Sequence, residues 1–324
     1  MGNFAGEVFN SQRPISVTAL MPVKNGIDYI FSARQQLSNT CRKSDEILVI
    51  DDNSKDGSFR ELQRWAEEDS RVRVLRNTGE GLVSALNLGI QESTNNWIAR
   101  FDVDDKYADN RLDQQVAVIE SQTIAIFSDY EIWTPNGKSL GRIPSPVDSN
   151  AVKISLISSR RTPHPSVLYS REAVLAVGGY RAEDFPAEDL SLWLRMSKVG
   201  KLISLPQVLL NYQLRSNSVS GQNRALILKK TSELQNEIGV QRESLKAGFE
   251  GADLILDSYD GLELAKQRQI LFLQELYKAC ERAGEQKKVA LLGKLLNRVD
   301  SGMCKGVIDV SIGTTKRRIY RKFG

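Results

Sequence analysis

Residues 15–57 read ISVTALMPVKNGIDYIFSARQQLSNTCRKSDEILVIDDNSKDG, and this stretch decides the fold. The apolar run at 15–21 predicts a buried strand, the segment 27–38 predicts a helix, and the run at 47–50 predicts a second buried strand. A strand, a helix and another strand in so short a stretch form the unit that joins two parallel strands by a right-handed crossover. The stretch therefore predicts a parallel sheet that is covered by helices.

The same alternation continues to residue 121. Strands are predicted at 72–75 and 97–101, and helices at 58–68, 81–92 and 109–121. The fold class is therefore α/β, with a mainly parallel central sheet.

The pattern changes after residue 122. IAIFSDYEIW and SLGRI flank Pro135-Asn136-Gly137-Lys138, which is a hairpin signal. The remaining predictions are a strand near 165–169, a helix at 188–199, strands near 201–205 and 208–213, and a helical pattern from about 222. We therefore divide the chain into a flexible arm (1–14), an α/β domain (15–222) and a helical C-terminal region (223–324).

Composition excludes several classes of protein. The chain has 324 residues, of which 41% are hydrophobic and 26% charged, so it is neither disordered, collagen-like nor a coiled coil. Cys41, Cys280 and Cys304 form no CxxC pair, which argues against a structural zinc site and a disulfide framework and favours a reducing cytoplasm. No segment approaches the ~18 apolar residues that a membrane-spanning helix needs, and the first residues lack the pattern of a secretory signal.

Positive charge is concentrated near the C-terminus. Residues 1–225 contain 26 Lys and Arg against 27 Asp and Glu, whereas residues 226–324 contain 18 against 13. The last residues, TTKRRIYRKFG, can touch an anionic membrane surface, and a solvated terminus is the alternative. Nucleic-acid binding is not expected, because few aromatic residues interleave with these charges.

Acidic residues follow two of the predicted strands. Asp51 and Asp52 come after the second strand, and Asp102, Asp104 and Asp105 come after the fourth. Because ligands of open parallel sheets bind beyond the carboxyl ends of the strands, both clusters are expected at one edge. Carboxylates brought together need a compensating charge, and oxygen ligands suit Mg²⁺ or Mn²⁺. The pattern therefore predicts a divalent cation and a diphosphate there.

A third acidic element opens a later helix. Glu188 and Asp189 precede LSLWLRM, where acidic residues also complement a helix dipole without any further role. The single histidine, His164, cannot build a zinc site, and the residues alone support no Ser/His/Asp assembly.

Seven segments, in this order, resemble a family 2 glycosyltransferase of the GT-A fold, of the bacterial surface-polysaccharide type. They are SVTALMPVKNG, ILVIDDNSKDGS, NTGEGLVSALNLGI, WIARFDVDDKYADNRLDQQ, RTPHPSVLYSREAVLAVGGYR, PAEDLSLWLRM and PQVLLNYQLRSNSVS. They span about residues 15–220, and the last hundred residues carry none of the resemblance. It implies a GT-A-like fold and an inverting, metal-assisted transferase that uses a nucleotide-diphosphate sugar as donor.

The resemblance also implies roles for the donor site. Pro22 lies at the nucleoside pocket through its backbone, and Asp52 accepts a hydrogen bond from uracil N3–H, which favours UDP or dTDP. Asp102 and Asp104 match the DxD motif. The metal ligands are expected to be Asp104 and Asp105, with Mn²⁺ or Mg²⁺ as the cofactor. Further donor-site candidates are Val23, Asn25 and Gly81.

On the acceptor side, Asp189 matches the general base and Glu188 a supporting acid. His164, Gly179 and Tyr180 match positions near the acceptor. The chain departs from the family at Arg215, where a histidine often stands. Arginine cannot bind a metal but can pair with phosphate oxygens, so strict metal dependence is in doubt.

The resulting hypothesis is a cytoplasmic enzyme, peripheral on the inner face of the cell membrane through its basic tail. Its acceptor is a saccharide or a lipid-linked saccharide, and the C-terminal helices could instead form a homo-oligomer interface. The alternative is a catalytically silent nucleotide-sugar-binding or scaffolding protein on the same fold.

Overall fold

The computed structural model describes residues 15–158, 162–215 and 223–238, and the single positions 273, 274, 277, 278, 289 and 293. The predicted N-terminal arm and the basic tail lie outside these residues, as does most of the predicted helical region. The predicted domain boundary at 222 also falls outside them.

The described strands form one nine-stranded sheet in the order β3-β2-β1-β4-β8-β6-β9-β5, with β7 paired to β6. Their bounds are β1 Val17–Val23, β2 Glu46–Asp51, β3 Val72–Arg76, β4 Trp97–Arg100, β5 Lys106–Tyr107, β6 Thr123–Trp133, β7 Ser139–Ile143, β8 Leu168–Ser170 and β9 Lys201–Gln213.

The parallel part of the sheet carries the predicted crossover units. Strand β1 pairs in parallel with both β2 and β4, and β2 pairs in parallel with β3. Strand β8 is antiparallel to β4 and β6, while β6 and β9 are parallel. The carboxyl ends of β2, β1 and β4 therefore lie side by side, and the predicted α/β class is confirmed.

The helices are α1 Ile27–Thr40, α2 Ser58–Glu68, α3 Gly81–Glu92, α4 Arg111–Ala117, α5 Ser149–Ser158, α6 Arg171–Ala176, α7 Glu188–Met196 and α8 Arg224–Ile238. They cover both faces of the sheet. Ala19 and Met21 of β1 pack in the cluster that includes α1, α2 and α4, whereas Leu20 packs in the cluster with α3, α5 and α7. Burial on both faces explains why β1 and β2 read as continuous apolar runs.

Several predicted bounds were wrong. The helix predicted at 109–121 is α4, which ends at Ala117, and the helix predicted at 188–199 is α7, which ends at Met196. The strand predicted near 165–169 is a 3-10 turn at His164–Ser166 followed by β8. Pro165 explains this difference, because its fixed φ suits the first turn of a helix, where its missing N–H would have no helical partner.

Strand β9 is one strand where two were predicted. Its register against β6 shifts between Ser128 and Asp129, which pair with Leu205 and Val208. The shift accommodates Pro206, which has no N–H to donate to the ladder. Helices α5 and α6 were not predicted. Seven of the ten α5 residues are buried, so the polar face that marks a surface helix is missing.

No helix of the described residues combines the length and the apolar composition that crossing a membrane requires.

Glu46 joins three neighbouring segments at the edge of the sheet opposite the carboxyl ends. Its side chain is buried and accepts hydrogen bonds from the Thr18 hydroxyl (2.7 Å) and from the backbone N–H and hydroxyl of Thr94 (2.9 and 2.8 Å). Arg73 Nη1 lies 2.5 Å from the other carboxylate oxygen. Burial acts to raise the pKa of Glu46, but the hydrogen bonds outweigh it and lower the pKa below its usual value.

We expect Glu46→Gln to lower the free energy of unfolding by about 1–3 kcal/mol at neutral pH. Because the folded pKa is lowered, the ionised carboxylate stabilises the fold above its unfolded pKa, and this contribution is lost as pH falls through the folded pKa. Urea unfolding of wild type and Glu46→Gln, from neutral to acidic pH, should show that their difference in unfolding free energy decreases in acid. Glu67→Gln, at an exposed position of α2, is the control, and a pH-independent difference at Glu46 would contradict the prediction.

Candidate functional site

Asp52 lies at the end of β2 in a nearly closed network of hydrogen bonds. Its side chain is 5% exposed. Lys24 Nζ lies 2.9 Å from Oδ2, while Asn77 Nδ2 (2.7 Å) and the Gly81 N–H (3.0 Å) donate to Oδ1. A carboxylate has about four acceptor positions, so these three donors leave room for one more hydrogen bond. Asp52 thus keeps one acceptor position that these three donors do not use.

A cavity of about 590 Å³ opens between the loops that follow β1, β2 and β3. Its lining is strongly polar and consists of Lys24, Asn25, Asn53, Lys55, Asn77, Thr78, Gly79 and Glu80. Lys24 and Asn77, the two side chains that contact Asp52, therefore also line the cavity. Neither was predicted as a site residue, although both belong to loops that follow predicted strands.

The other predicted donor-site residues shape these loops through the backbone. Pro22 and Val23 are buried within β1, and the Val23 carbonyl accepts a hydrogen bond from the Asp52 N–H at 2.7 Å. Asn25 has a φ of 51° and accepts a hydrogen bond from the Lys55 N–H at 2.8 Å. Gly81 has a φ of 83°, which favours glycine, and this conformation accompanies its hydrogen bond to Asp52 at the start of α3.

Asp102, the first residue of the DxD motif, is paired with a buried arginine. Arg100 Nη1 lies 2.5 Å from Asp102 Oδ2, and the Arg100 side chain is 4% exposed against 29% for Asp102. Burial acts to lower the pKa of Arg100, but the charge of Asp102 outweighs it and raises the pKa. Arg100 was not predicted as a site residue. The signal was a charged residue inside the apolar run WIARF.

Asp104 is paired with Arg215. Arg215 Nε lies 3.0 Å from Asp104 Oδ2, and its Nη2 donates to the Asp104 carbonyl at 3.1 Å. The guanidinium stacks on the Tyr29 ring, with Cζ 3.7 Å from the ring centroid. Burial and the nearby charge of Asp102 raise the pKa of Asp104, and Arg215 acts in the opposite direction.

Asp105 is the most buried aspartate of this motif. Its Oδ1 accepts a hydrogen bond from the Gln213 N–H of β9 at 2.8 Å, and its carbonyl accepts one from Gln36 Nε2 at 3.3 Å. Burial raises the pKa of Asp105 well above its usual value, and Asp102 adds to this. The contacts tie the motif to both β9 and α1.

The sequence predicted that a divalent cation balances the negative charge of this motif. In the structure, Arg100 and Arg215 balance the charge of Asp102 and Asp104. No three His, Cys, Asp or Glu side chains of the described residues come together in the manner of a metal cage. The oxygen donors of Asp102 and Asp104 nevertheless suit Mg²⁺ or Mn²⁺, and each side chain is about a quarter exposed. The residues fit a cation chemically, provided that it shares or displaces the arginine contacts.

The third acidic element lies in the first turn of α7. Glu188 is buried, and its Oε1 lies 4.0 Å from His164 Nδ1. Asp189 is half-buried, and its Oδ1 accepts a hydrogen bond from the Leu190 N–H at 2.7 Å. Both carboxylates are thus at the N-terminus of a helix, where the dipole favours negative charge.

His164 connects Glu188 to Tyr180. His164 Nε2 lies 2.7 Å from the Tyr180 hydroxyl, and burial raises the pKa of Tyr180 well above its usual value. The turn at Gly179 brings Tyr180 there. Its φ is 65°, and a Cβ at this position would lie 2.7 Å from Asn87 Oδ1. Asn87 bonds both the N–H and the carbonyl of Tyr180, at 2.9 Å each.

The segment that holds His164 contacts the strand that precedes the DxD motif. The Arg100 N–H donates to the carbonyl of Val167, which directly follows the His164–Ser166 turn, at 3.0 Å. The Val167 N–H in turn donates to the His164 carbonyl at 3.3 Å. The structure therefore links Glu188, His164 and Tyr180 to the arginine that holds Asp102.

Comparison with known proteins shows which family part of the chain matches. Residues 18–161 match the glycosyl transferase family 2 model. An uncharacterized glycosyltransferase of Rickettsia bellii is 28% identical over 65% of this chain and 30% of its own length. The amylovoran biosynthesis glycosyltransferase AmsE of Erwinia amylovora is 29% identical over 58% of this chain and 70% of its own length. The chain thus spans less than a third of the Rickettsia relative.

The fold matches a solved structure as well. Mannosyltransferase PcManGT from Pyrobaculum calidifontis, in complex with GDP-Man and Mn²⁺, superposes with a TM-score of 0.54. It is 16% identical, and the match covers 89% of this chain and 80% of the mannosyltransferase. This likeness concerns the fold alone.

This superposition confirms the predicted GT-A fold. The match of residues 18–161 to the glycosyl transferase family 2 model confirms the resemblance seen in the sequence.

Proposed function

We propose that this chain is an inverting glycosyltransferase of bacterial cell-surface polysaccharide synthesis. It moves one sugar from a UDP- or dTDP-sugar to a saccharide or lipid-linked saccharide. The observation that carries the proposal is the position of the polar cavity beside Asp52, at the same edge of the sheet as the DxD carboxylates. The relatives named as glycosyltransferases support the same reaction.

The cavity holds the nucleoside. Asp52 takes the N3–H of uracil or thymine in its remaining acceptor position, and Lys24 donates to a carbonyl oxygen of the same base. With one acceptor position left, Asp52 matches the single ring N–H of uracil or thymine, whereas guanine presents two adjacent donors, N1–H and its N2 amine. Pro22, Val23, Asn25 and Gly81 hold the loops that form this pocket.

The DxD motif and Arg215 hold the diphosphate. A bound Mn²⁺ or Mg²⁺, with Asp104 as ligand and Asp102 beside it, would supply Lewis-acid stabilisation of the charge on the departing diphosphate. Asp105 was predicted as a second ligand. Its burial and its bond to Gln213 favour a supporting role in which it fixes the loop. Arg215 pairs with phosphate oxygens, for which its planar guanidinium is suited.

Asp189 acts as the general base. It takes the proton from the acceptor hydroxyl while the hydroxyl oxygen attacks the anomeric carbon from the face opposite the diphosphate, which inverts the configuration. Glu188 and His164 orient this region through the buried contact to Tyr180. Gly179 and Tyr180 shape the acceptor side.

The three-part division of the chain remains part of the proposal. The α/β domain at 15–222 binds and transfers the sugar, and the C-terminal region brings it to its acceptor. We propose that the basic tail holds the protein at the inner face of the cell membrane. The same region could instead pair two copies of the chain.

We expect UDP- and dTDP-sugars, but not GDP-sugars, to raise the melting temperature in the presence of Mn²⁺, because a ligand of the native state stabilises it by mass action. Asp52→Asn should lose most of the shift, because an amide cannot accept hydrogen bonds from all these donors and the base. Asp109→Asn, at an exposed position, is the control. A shift produced only by GDP-sugars would contradict the base assignment.

Release of UDP from a donor sugar distinguishes the proposed enzyme from the alternative, a catalytically silent binding protein. The two arginine pairs favour the silent alternative, because they neutralise both DxD carboxylates without a cation. A transferase releases UDP from its donor sugar, and Asp104→Asn abolishes the release. Binding without release for every donor and acceptor of a panel would support the silent protein, and no nucleotide binding at all would overturn both functions.

A further inference from the structure

Asp104 and Arg215 form an ion pair that differs from the other arginine pair of the motif. Arg100 is almost entirely enclosed, whereas the side chains of Arg215 and Asp104 are 18% and 26% exposed. Arg215 lies in the loop two residues after the end of β9, whereas Arg100 is the last residue of β4. Arg215 is thus the arginine that can leave its carboxylate without exposing a buried charge.

The contacts of Arg215 suit a change of partner. Its Nε contacts the Asp104 carboxylate, its Nη2 donates to the Asp104 carbonyl, and its Cζ lies 3.7 Å from the centroid of the Tyr29 ring. The stacking contact does not require Asp104, so Tyr29 can continue to support the guanidinium plane when the carboxylate is released. Phosphate oxygens accept paired hydrogen bonds from arginine at least as well as a carboxylate does.

We propose that Arg215 is an exchangeable counter-ion of Asp104. Without donor it neutralises the carboxylate and competes with a divalent cation for it. When the donor arrives, Arg215 transfers to the diphosphate and leaves Asp104 to the cation. This proposal rests on the proposed function, because it takes the donor to be a nucleotide diphosphate.

Competition for one carboxylate has a thermodynamic consequence. A cation that binds Asp104 must first displace the guanidinium, so Arg215 weakens cation binding in the absence of nucleotide. The same arginine strengthens diphosphate binding in the absence of a cation. Removal of Arg215 should therefore change these two affinities in opposite directions.

The experiment measures the two affinities separately for wild type and Arg215→Gln. Free Mn²⁺ is followed by electron paramagnetic resonance without nucleotide, and UDP binding is followed by calorimetry in EDTA. We expect the variant to bind Mn²⁺ about five- to tenfold more tightly and UDP about tenfold more weakly. Arg215→Lys keeps the charge without the planar fork and should lie between the two proteins.

The control is Arg64→Gln, which removes the same charge from an ion pair with Glu61 in α2. It should change neither affinity, and thermal unfolding should show that all variants are folded. If Arg215→Gln binds both ligands more weakly, Arg215 has a merely structural role and the proposal is wrong. Unchanged Mn²⁺ affinity would also overturn it, even if the protein transfers sugar.

The outcome distinguishes this proposal from the proposed function. Suppose that the variant binds Mn²⁺ more tightly but wild type binds neither UDP nor another nucleotide diphosphate. This result would support competition at Asp104. It would overturn the transfer of Arg215 to a diphosphate, and with it the glycosyltransferase function.

Discussion

Replacing Asp189 by asparagine is expected to reduce turnover by about 10²–10⁴-fold while donor binding stays unchanged. Asparagine keeps the size of the side chain and can still accept the hydrogen bond from the Leu190 N–H. It cannot take a proton from the acceptor hydroxyl. Because Asp189 belongs to α7 and not to the loops around the polar cavity, its replacement should leave donor affinity intact.

Single-turnover transfer and UDP affinity, measured on the same preparations, check this expectation. Glu183→Gln is the matched control, since it removes an exposed carboxylate six residues before Asp189 and should transfer at the wild-type rate. Near-wild-type turnover of Asp189→Asn would show that another group removes the proton. A parallel loss of UDP affinity would instead indicate that the substitution disturbs the site.

Asp102→Asn is expected to destabilise the protein by about 3–5 kcal/mol, because it leaves Arg100 as a buried charge without its carboxylate. Asp104→Asn should lower the free energy of unfolding by less, because Arg215 is 18% exposed against 4% for Arg100 and keeps its contact with the Tyr29 ring. The two aspartates of one DxD motif should therefore differ in their contribution to stability.

Urea unfolding of both variants and of the double variant Arg100→Met/Asp102→Asn measures this difference. The double variant removes the stranded charge and should be more stable than Asp102→Asn alone. Equal losses for Asp102→Asn and Asp104→Asn would contradict the assignment of Arg100 as the partner of Asp102. A double variant no more stable than Asp102→Asn would contradict it as well. Transfer assays of Asp102 variants must accordingly be corrected for the unfolded fraction.

Local patterns predicted the parallel half of the sheet well. Strands β1 and β2 are apolar runs followed by polar residues, and helices α1 to α3 lie within two residues of the predicted bounds. The local patterns did not predict α5, because a helix that is buried on most sides lacks the periodicity of an amphipathic helix. Two strands were predicted on either side of Pro206. The structure has one continuous strand, β9, because a bulge in the pairing of β9 with β6 accommodates the proline.

The sequence by itself determined which side chains follow the carboxyl ends of β2 and β4, since the order of residues along a strand places them there. Only the tertiary structure decided how those side chains are paired. Asp52 meets Lys24 across 28 positions, and Arg215 meets Asp104 across 111. Such partners depend on how loops from distant segments fold over a common edge of the sheet. Neither secondary-structure propensity nor hydrophobic periodicity tells which distant residues meet there.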